Sequence, residues 1–181
     1  MNKTAEMLDE SIFWKIVDQS LKNNTGQSGQ LSFLIKEIEN LSPQEMIGFR
    51  LRTDHLLYHT YTSQMWCAAS LMNGGCTDDG FEYFRNWIIS RGKDVYFNAK
   101  KNPDSLISEY IEGRDFYDFE EFWYVALSAF ENTTGKNLYD YIADNFKTNE
   151  PNYPSFEITW DSAKPETMKA ICPQLFDKIS K

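Results

Sequence analysis

The sequence predicts an all-α fold, a compact orthogonal bundle of about eight to ten helices. Three observations carry this expectation. Apolar residues recur at three- and four-residue steps along most of the chain, the spacing that lines one face of a helix. The runs are bounded by residues that start or stop helices, above all Ser42-Pro43-Gln44-Glu45, Asn73-Gly74-Gly75 and Thr77-Asp78-Asp79. Alternation of the kind a strand needs is confined to Phe156, Ile158 and Trp160.

Taken in order, Ile12, Trp14, Ile16, Val17 and Leu21 predict a first helix, with Asp9 or Ser11 as its cap. Asn23 to Gly29 is a polar break, and Leu31, Phe33, Leu34, Ile35 and Ile38 predict a second helix. Ser42 to Glu45 reads as a capping box with proline at the first helical position, opening a long helix to about Thr62. A fourth helix runs from Met65 to Leu71 and stops at Asn73-Gly74-Gly75. Thr77 caps a fifth, with Asp78 and Asp79 complementing the helix dipole and Phe81, Phe84, Trp87 and Ile88 on its apolar face. Gly92 ends it. Val95, Tyr96 and Ala99 suggest a short sixth helix, and Asn102-Pro103 begins a seventh over 103–110. Asp118 and Glu121 repeat the capping pattern before a helix over Phe122 to Phe130, which ends at Thr133-Thr134-Gly135. Leu138 to Phe146 is predicted as another helix. Residues 148–164 form a loop with one short strand or extended arm near 156–160, and Pro165 opens a last helix to about Lys178.

A chain of 181 residues fits a single helical domain over 1–181 and buries roughly 70% of its unfolded surface. With 41% hydrophobic and 15% aromatic residues it is globular in composition. No apolar run is long enough to span a bilayer, and the N-terminus lacks the apolar core of a signal peptide, so a cytoplasmic location is expected. The three cysteines, Cys67, Cys76 and Cys172, have neither disulfide-framework nor zinc spacing and are expected as buried free thiols. A net charge of −9 argues against direct binding to nucleic acids and to anionic membranes. Nearly all of that surplus lies between Pro103 and Glu150, where eleven acids face three bases, a net of −8.

Several groups could carry chemistry. His55 and His59 stand one helical turn apart, beside Asp54, but lack the glutamate and third ligand of a helical metal site, so a plain helical pair and no metal are expected. Asp78, Asp79 and Glu82 form an acid cluster in which only Asp78 and Glu82 share a helix face; pairing with Arg85 or Arg91 would account for it. Cys76 precedes a helix N-terminus, half of what an activated thiol needs. Asn73-Gly74-Gly75 precedes the same helix but has no phosphate-binding lysine, and the aspartates would repel an anion. From Tyr110 to Tyr124 acids alternate with more aromatic rings than one helix face buries, so exposed rings beside carboxylates are expected there.

The stretch from Met65 to Arg91 resembles a bacterial family of unknown function, domain-of-unknown-function family 4240. The resemblance rests on Trp66, Ala68-Ala69, Asn73 to Cys76, Asp78 to Phe81, Tyr83-Phe84-Arg85 and Trp87. Pro103 to Leu106 and Glu121 to Ala126 also resemble it, so the similar region covers roughly 10–135, with a C-terminal extension over 136–181. Ser70 stands where the family is expected to have an aromatic residue. The resemblance implies an all-α protein and no transferable activity or cofactor.

Two sites are therefore expected. One is a partner-binding face at Glu109, Glu112, Asp115, Tyr117, Asp118, Glu120 and Tyr124. It suits an acidic cytoplasmic protein that binds and neutralises a basic protein partner, as an immunity protein does a toxin. The other is a pocket at the 66–92 corner, lined by Trp66, Asp78, Asp79, Glu82 and Arg85, for a small ligand or a hydrolytic reaction. Mimicry of a nucleic acid by the acidic surface is a third reading. No catalytic residue is assigned, and the sequence points away from an enzyme.

Overall fold

Capping chemistry sets most of the helix boundaries. The computed structural model describes residues 2–22, 26–144 and 153–180. Among them α1 spans Glu10–Lys22, α2 Gln27–Glu39 and α3 Pro43–His59; α4 is Ser63–Met72, α5 Asp78–Ser90 and α6 Lys93–Lys101. The Ser42 side chain accepts from the Glu45 amide while the Glu45 carboxylate accepts from the Ser42 amide at 2.8 Å, closing the expected capping box of α3. Thr62 caps α4 through the Met65 amide, and Thr77 caps α5 through the Gly80 amide. At the α5–α6 corner Gly92 has φ +95, and a Cβ there would lie 2.6 Å from Asp18 Oδ1. That same oxygen accepts from the Lys93 amide, so a carboxylate of α1 starts α6.

The second half of the chain is less regular than expected. The predicted helix at 103–110 is a 3-10 segment, Pro103–Glu109, with the Asn102 side chain as its cap. The next is a 3-10 segment at Glu120–Tyr124 running into α7, Val125–Thr134, and Asp118 does not cap it; Phe119 occupies that position without a side-chain bond. Leu138–Tyr141 is a 3-10 turn, Ile142 bridges to Thr4 and does not continue a helix, and the end of the helix expected to Phe146, after Asp144, lies outside the described residues. The predicted last helix is two, α8 at Pro165–Ile171 and α9 at Pro173–Ile179. Pro173 has no N–H to continue α8 and pushes Cys172 to φ −128, ψ 71, outside the helical region. Residues 153–160 form an arm with no regular secondary structure, and no strand occurs among the described residues.

One core joins these elements. Phe13, Trp14 and Val17 of α1, Phe49 of α3, and Phe81, Phe84 and Trp87 of α5 are buried together with Phe122 and Phe130. Each such side chain contributes about 1.5–3 kcal/mol on burial. α7 packs against α2 and α3, and α9 against α4 and the Pro103–Glu109 segment. The buried Asp104 fixes the last contact: it accepts from the amides of Gln174 at 3.2 Å and Leu175 at 2.9 Å, in the first turn of α9. Cys67 and Cys172 are buried neighbours, and the hydrogen bond from Cys172 to Cys67, followed by burial, pushes the Cys172 thiol far above its ordinary range. No helix among the described residues is long and apolar enough to cross a membrane.

Candidate functional site

The two sites expected from sequence form one continuous region. Asn73, the last-turn cap of α4, accepts from the Tyr117 amide at 2.8 Å through its side-chain oxygen. Two residues on, the Phe119 amide donates to the Tyr83 carbonyl of α5 at 3.1 Å. These bonds fasten the acidic segment along the 66–92 corner. Between them lies a groove of about 370 Å³, lined by Asn73, Cys76, Thr77, Tyr83, Phe116 and Asp118. The Tyr83 hydroxyl lies near Glu120, Asp79 and Tyr124; desolvation first, then the Glu120 carboxylate, raises it above the ordinary range.

The expected partner-binding residues divide by exposure. Asp115, Asp118 and Glu120 are exposed, as is Tyr124 at 47%. Glu112 is exposed and stands 3.6 Å from Lys178. Glu109 is engaged within the fold, 2.7 Å from Arg91 Nε. Tyr117 is not a surface anchor: it is fully buried, packs edge-on to Trp87, and its hydroxyl accepts from the Ile111 amide and donates to the Ile111 carbonyl. The ring that does project is Phe116, 62% exposed, which the sequence reading did not select. Adjacent aromatic residues in an irregular segment carry no periodic signal to say which one faces inward.

The corner residues also divide. Asp78 and Asp79 are exposed in the first turn of α5, and Glu82 is half-buried. None of the three bonds to Arg85, and Arg91 is committed to Glu109. Arg85 is held inside the core. It is 1% exposed and makes no ion pair among the described residues. Its Nη1 donates to the Leu57 carbonyl at 2.7 Å and its Nε to the Phe81 carbonyl at 3.2 Å. Leu57 lies in the last turn of α3, where unsatisfied carbonyls make the negative end of the helix dipole. The Tyr96 hydroxyl serves the neighbouring Leu56 carbonyl at 2.8 Å. Arg85 is thus a buried cationic cap, with ring centroids of Tyr61, Phe81 and Tyr153 at 4.9, 4.6 and 4.7 Å from its guanidinium carbon.

Above this cap opens a cleft of about 780 Å³ lined by Tyr61, Trp66, Tyr153, Phe156 and Trp160, with Asp78 as the one acid among the described residues of its lining. Trp66 stacks on Phe81 at 4.5 Å and donates from Nε1 to the Cys76 carbonyl at 3.2 Å. The far wall is the arm at 153–160. It is tied to α4 by Ser63, whose hydroxyl accepts from the Thr159 amide at 2.9 Å and whose carbonyl accepts from Trp160 Nε1 at 2.8 Å. Of the residues selected from sequence, the cleft contains Trp66 and Asp78 but not Asp79, Glu82 or Arg85.

The other candidates have structural explanations. Burial pushes the Cys76 thiol up to about 11, so the thiolate that a nucleophile needs is disfavoured there. The His55 and His59 rings meet edge to face at 4.4 Å, and no group of three or more ligating side chains placed for a metal occurs among the described residues.

The helical bundle with its aromatic corner defines the class to which the chain can be assigned. A family model described as a protein of unknown function, DUF4240, matches residues 8–132, and the chain belongs to that family. The matched region holds α1 to α6 and most of α7, and thus the whole corner, but not the arm at 153–160. No curated protein and no solved structure matches the chain.

Proposed function

We propose that this protein is an acidic interaction protein of the cytoplasm that binds and neutralises a basic protein partner, in the manner of an immunity protein. One observation carries the reading. The exposed carboxylates Asp79, Asp118 and Glu120 and the exposed rings Phe116 and Tyr124 lie around Tyr83, where the bonds from Asn73 and Tyr83 hold the 117–119 segment. Aromatic anchors surrounded by acids suit a basic surface: the rings supply buried area, and the charges supply encounter rate and selectivity. A lysine or arginine of the partner would enter the groove beside Asp118.

The test is capture from the native host with immobilised wild-type protein and with an Asp118→Lys/Glu120→Lys variant. The expected result is a basic protein retained at low ionic strength, released by salt, and lost with the variant. A partner that is acidic, or one that binds both forms equally at high salt, would remove the reading.

A further inference from the structure

We propose that the cleft between Tyr61, Trp66 and the 153–160 arm is a binding site for a small organic cation bearing a methylated, quaternary ammonium group. This inference does not rest on the partner-binding reading, because the cleft and the acidic groove share no lining residue among those described.

Tyr61, Trp66 and Phe156 form one aromatic corner of the cleft, with Tyr153 stacked on Tyr61 at 4.3 Å. The centroids of Tyr61, Trp66 and Phe156 stand 6.2, 5.1 and 6.3 Å apart, and the rings meet at 59°, 57° and 73°. Mutually perpendicular rings that each hold a shared cation at about 4.5 Å would have centroids about 6.4 Å apart, inside the range of cation–π attraction. Two of the three separations match that figure closely, and Trp160 stands in the same lining. The protein already uses this cluster to hold a cation, since the Arg85 guanidinium lies against Tyr61 and Tyr153 from within.

The charge around the cleft favours a cation over an anion. Asp78 lines it directly, and Asp79 and Glu82 follow on the first turns of α5, against the single buried cation Arg85. Arg85 is 1% exposed and is not part of the cleft lining, with Nη1 and Nε held by the carbonyls of Leu57 and Phe81, so its charge lies behind the rings and not in the cleft. The walls also select the kind of cation. A primary ammonium brings three N–H donors that need acceptors, and ring faces satisfy them poorly. A quaternary ammonium has no donor to satisfy, loses less hydration, and presents methyl groups to the rings.

The test uses choline and its neutral isostere 3,3-dimethyl-1-butanol, with ¹H–¹⁵N spectra of the tryptophan indoles as the readout. The expected result is a saturable shift of the Trp66 and Trp160 indole resonances with choline and a clearly weaker response to the alcohol. Asp78→Asn should weaken choline about three- to tenfold and leave the alcohol unchanged, as loss of one partly screened charge requires. The remaining indoles, at Trp14, Trp87 and Trp123, should stay in place and show that the variant is folded. Equal binding of the two isosteres would reduce the site to an apolar cleft and overturn the proposal. So would the absence of any saturable shift at tens of millimolar choline. Equally tight binding of N-acetyl-lysine methylamide would assign the cleft to basic side chains in general and overturn the preference for a quaternary group.

Discussion

Ser63→Ala tests how the cleft is built. The arm at 153–160 has no ladder of its own; Ser63 ties its Thr159–Trp160 end to α4. The hydroxyl of Ser63 makes two bonds to Thr159, at 2.9 Å to the amide and 3.0 Å to the hydroxyl. Each neutral bond of this kind is worth about 0.5–1.5 kcal/mol net. Alanine recovers up to about 0.5 kcal/mol through its helix preference at the first position of α4. The carbonyl of Ser63 still accepts from Trp160 Nε1, so the attachment is weakened and not abolished. The net loss is about 1–2 kcal/mol, which raises the open fraction of the arm about 5- to 30-fold. Hydrogen exchange by mass spectrometry reads this directly, as faster exchange in a peptide covering 153–162 with little change in α5. A Thr159→Val partner variant completes a double-mutant cycle, with an expected coupling of about 0.5–1.5 kcal/mol. Unchanged arm exchange in Ser63→Ala, or a coupling of zero, would refute the account of Ser63 as the tie.

Three further outcomes follow from the buried groups. Asp104→Ala leaves two first-turn amides of α9 without their acceptor and should cost about 3 kcal/mol. Thermal unfolding would then show Tm lower by about 6–12 °C, and a shift under about 2 °C would contradict the role of Asp104. Burial lowers the pKa of both His55 and His59, and each is disfavoured as a cation by nearby positive charge: His59, Arg52 and Lys100 for His55, Lys100 for His59. The unfolded chain therefore binds protons more readily; this stability is complete above the ordinary value of about 6.5 and is lost as pH falls through it. Urea titrations between pH 7.5 and 5 should show that decline, and a His55→Gln/His59→Gln variant should flatten it; an unchanged slope would contradict it. Cys76, with its thiol raised to about 11, should react with iodoacetamide at neutral pH at least about tenfold more slowly than a free cysteine, even after the higher nucleophilicity of its thiolate is counted. Mass spectrometry of the labelled peptide would measure the rate, and labelling as fast as free cysteine would show the thiol to be activated.

The parts of the fold that were readable in advance are those decided within a few residues. The Ser42–Glu45 capping box, the Thr77 cap and the 3.6-residue spacing of Phe81, Phe84 and Ile88 are local statements, and they appear in place. The break at Cys172, missed by the expectation of one last helix to Lys178, also has a local cause, the missing N–H of Pro173. The irregular segments were not readable in this way. Whether 103–109 and 120–124 wind as α or 3-10 depends on what they pack against, here α6 and α5.

By itself, then, the sequence determined the helical class, the ends of the early helices, the family and the places where charge and aromatic side chains concentrate. Tertiary structure alone decided which of those side chains meet. It buried Tyr117 and left Phe116 in solvent, and it turned Arg85 from a pocket residue into the cap of α3. It also set Tyr153 and Phe156 against Tyr61 and Trp66, more than 80 positions away in the chain. Periodicity and capping are short-range and can be read along the chain. A cleft is made by long-range packing, in which each ring's position depends on every element that closes the core around it.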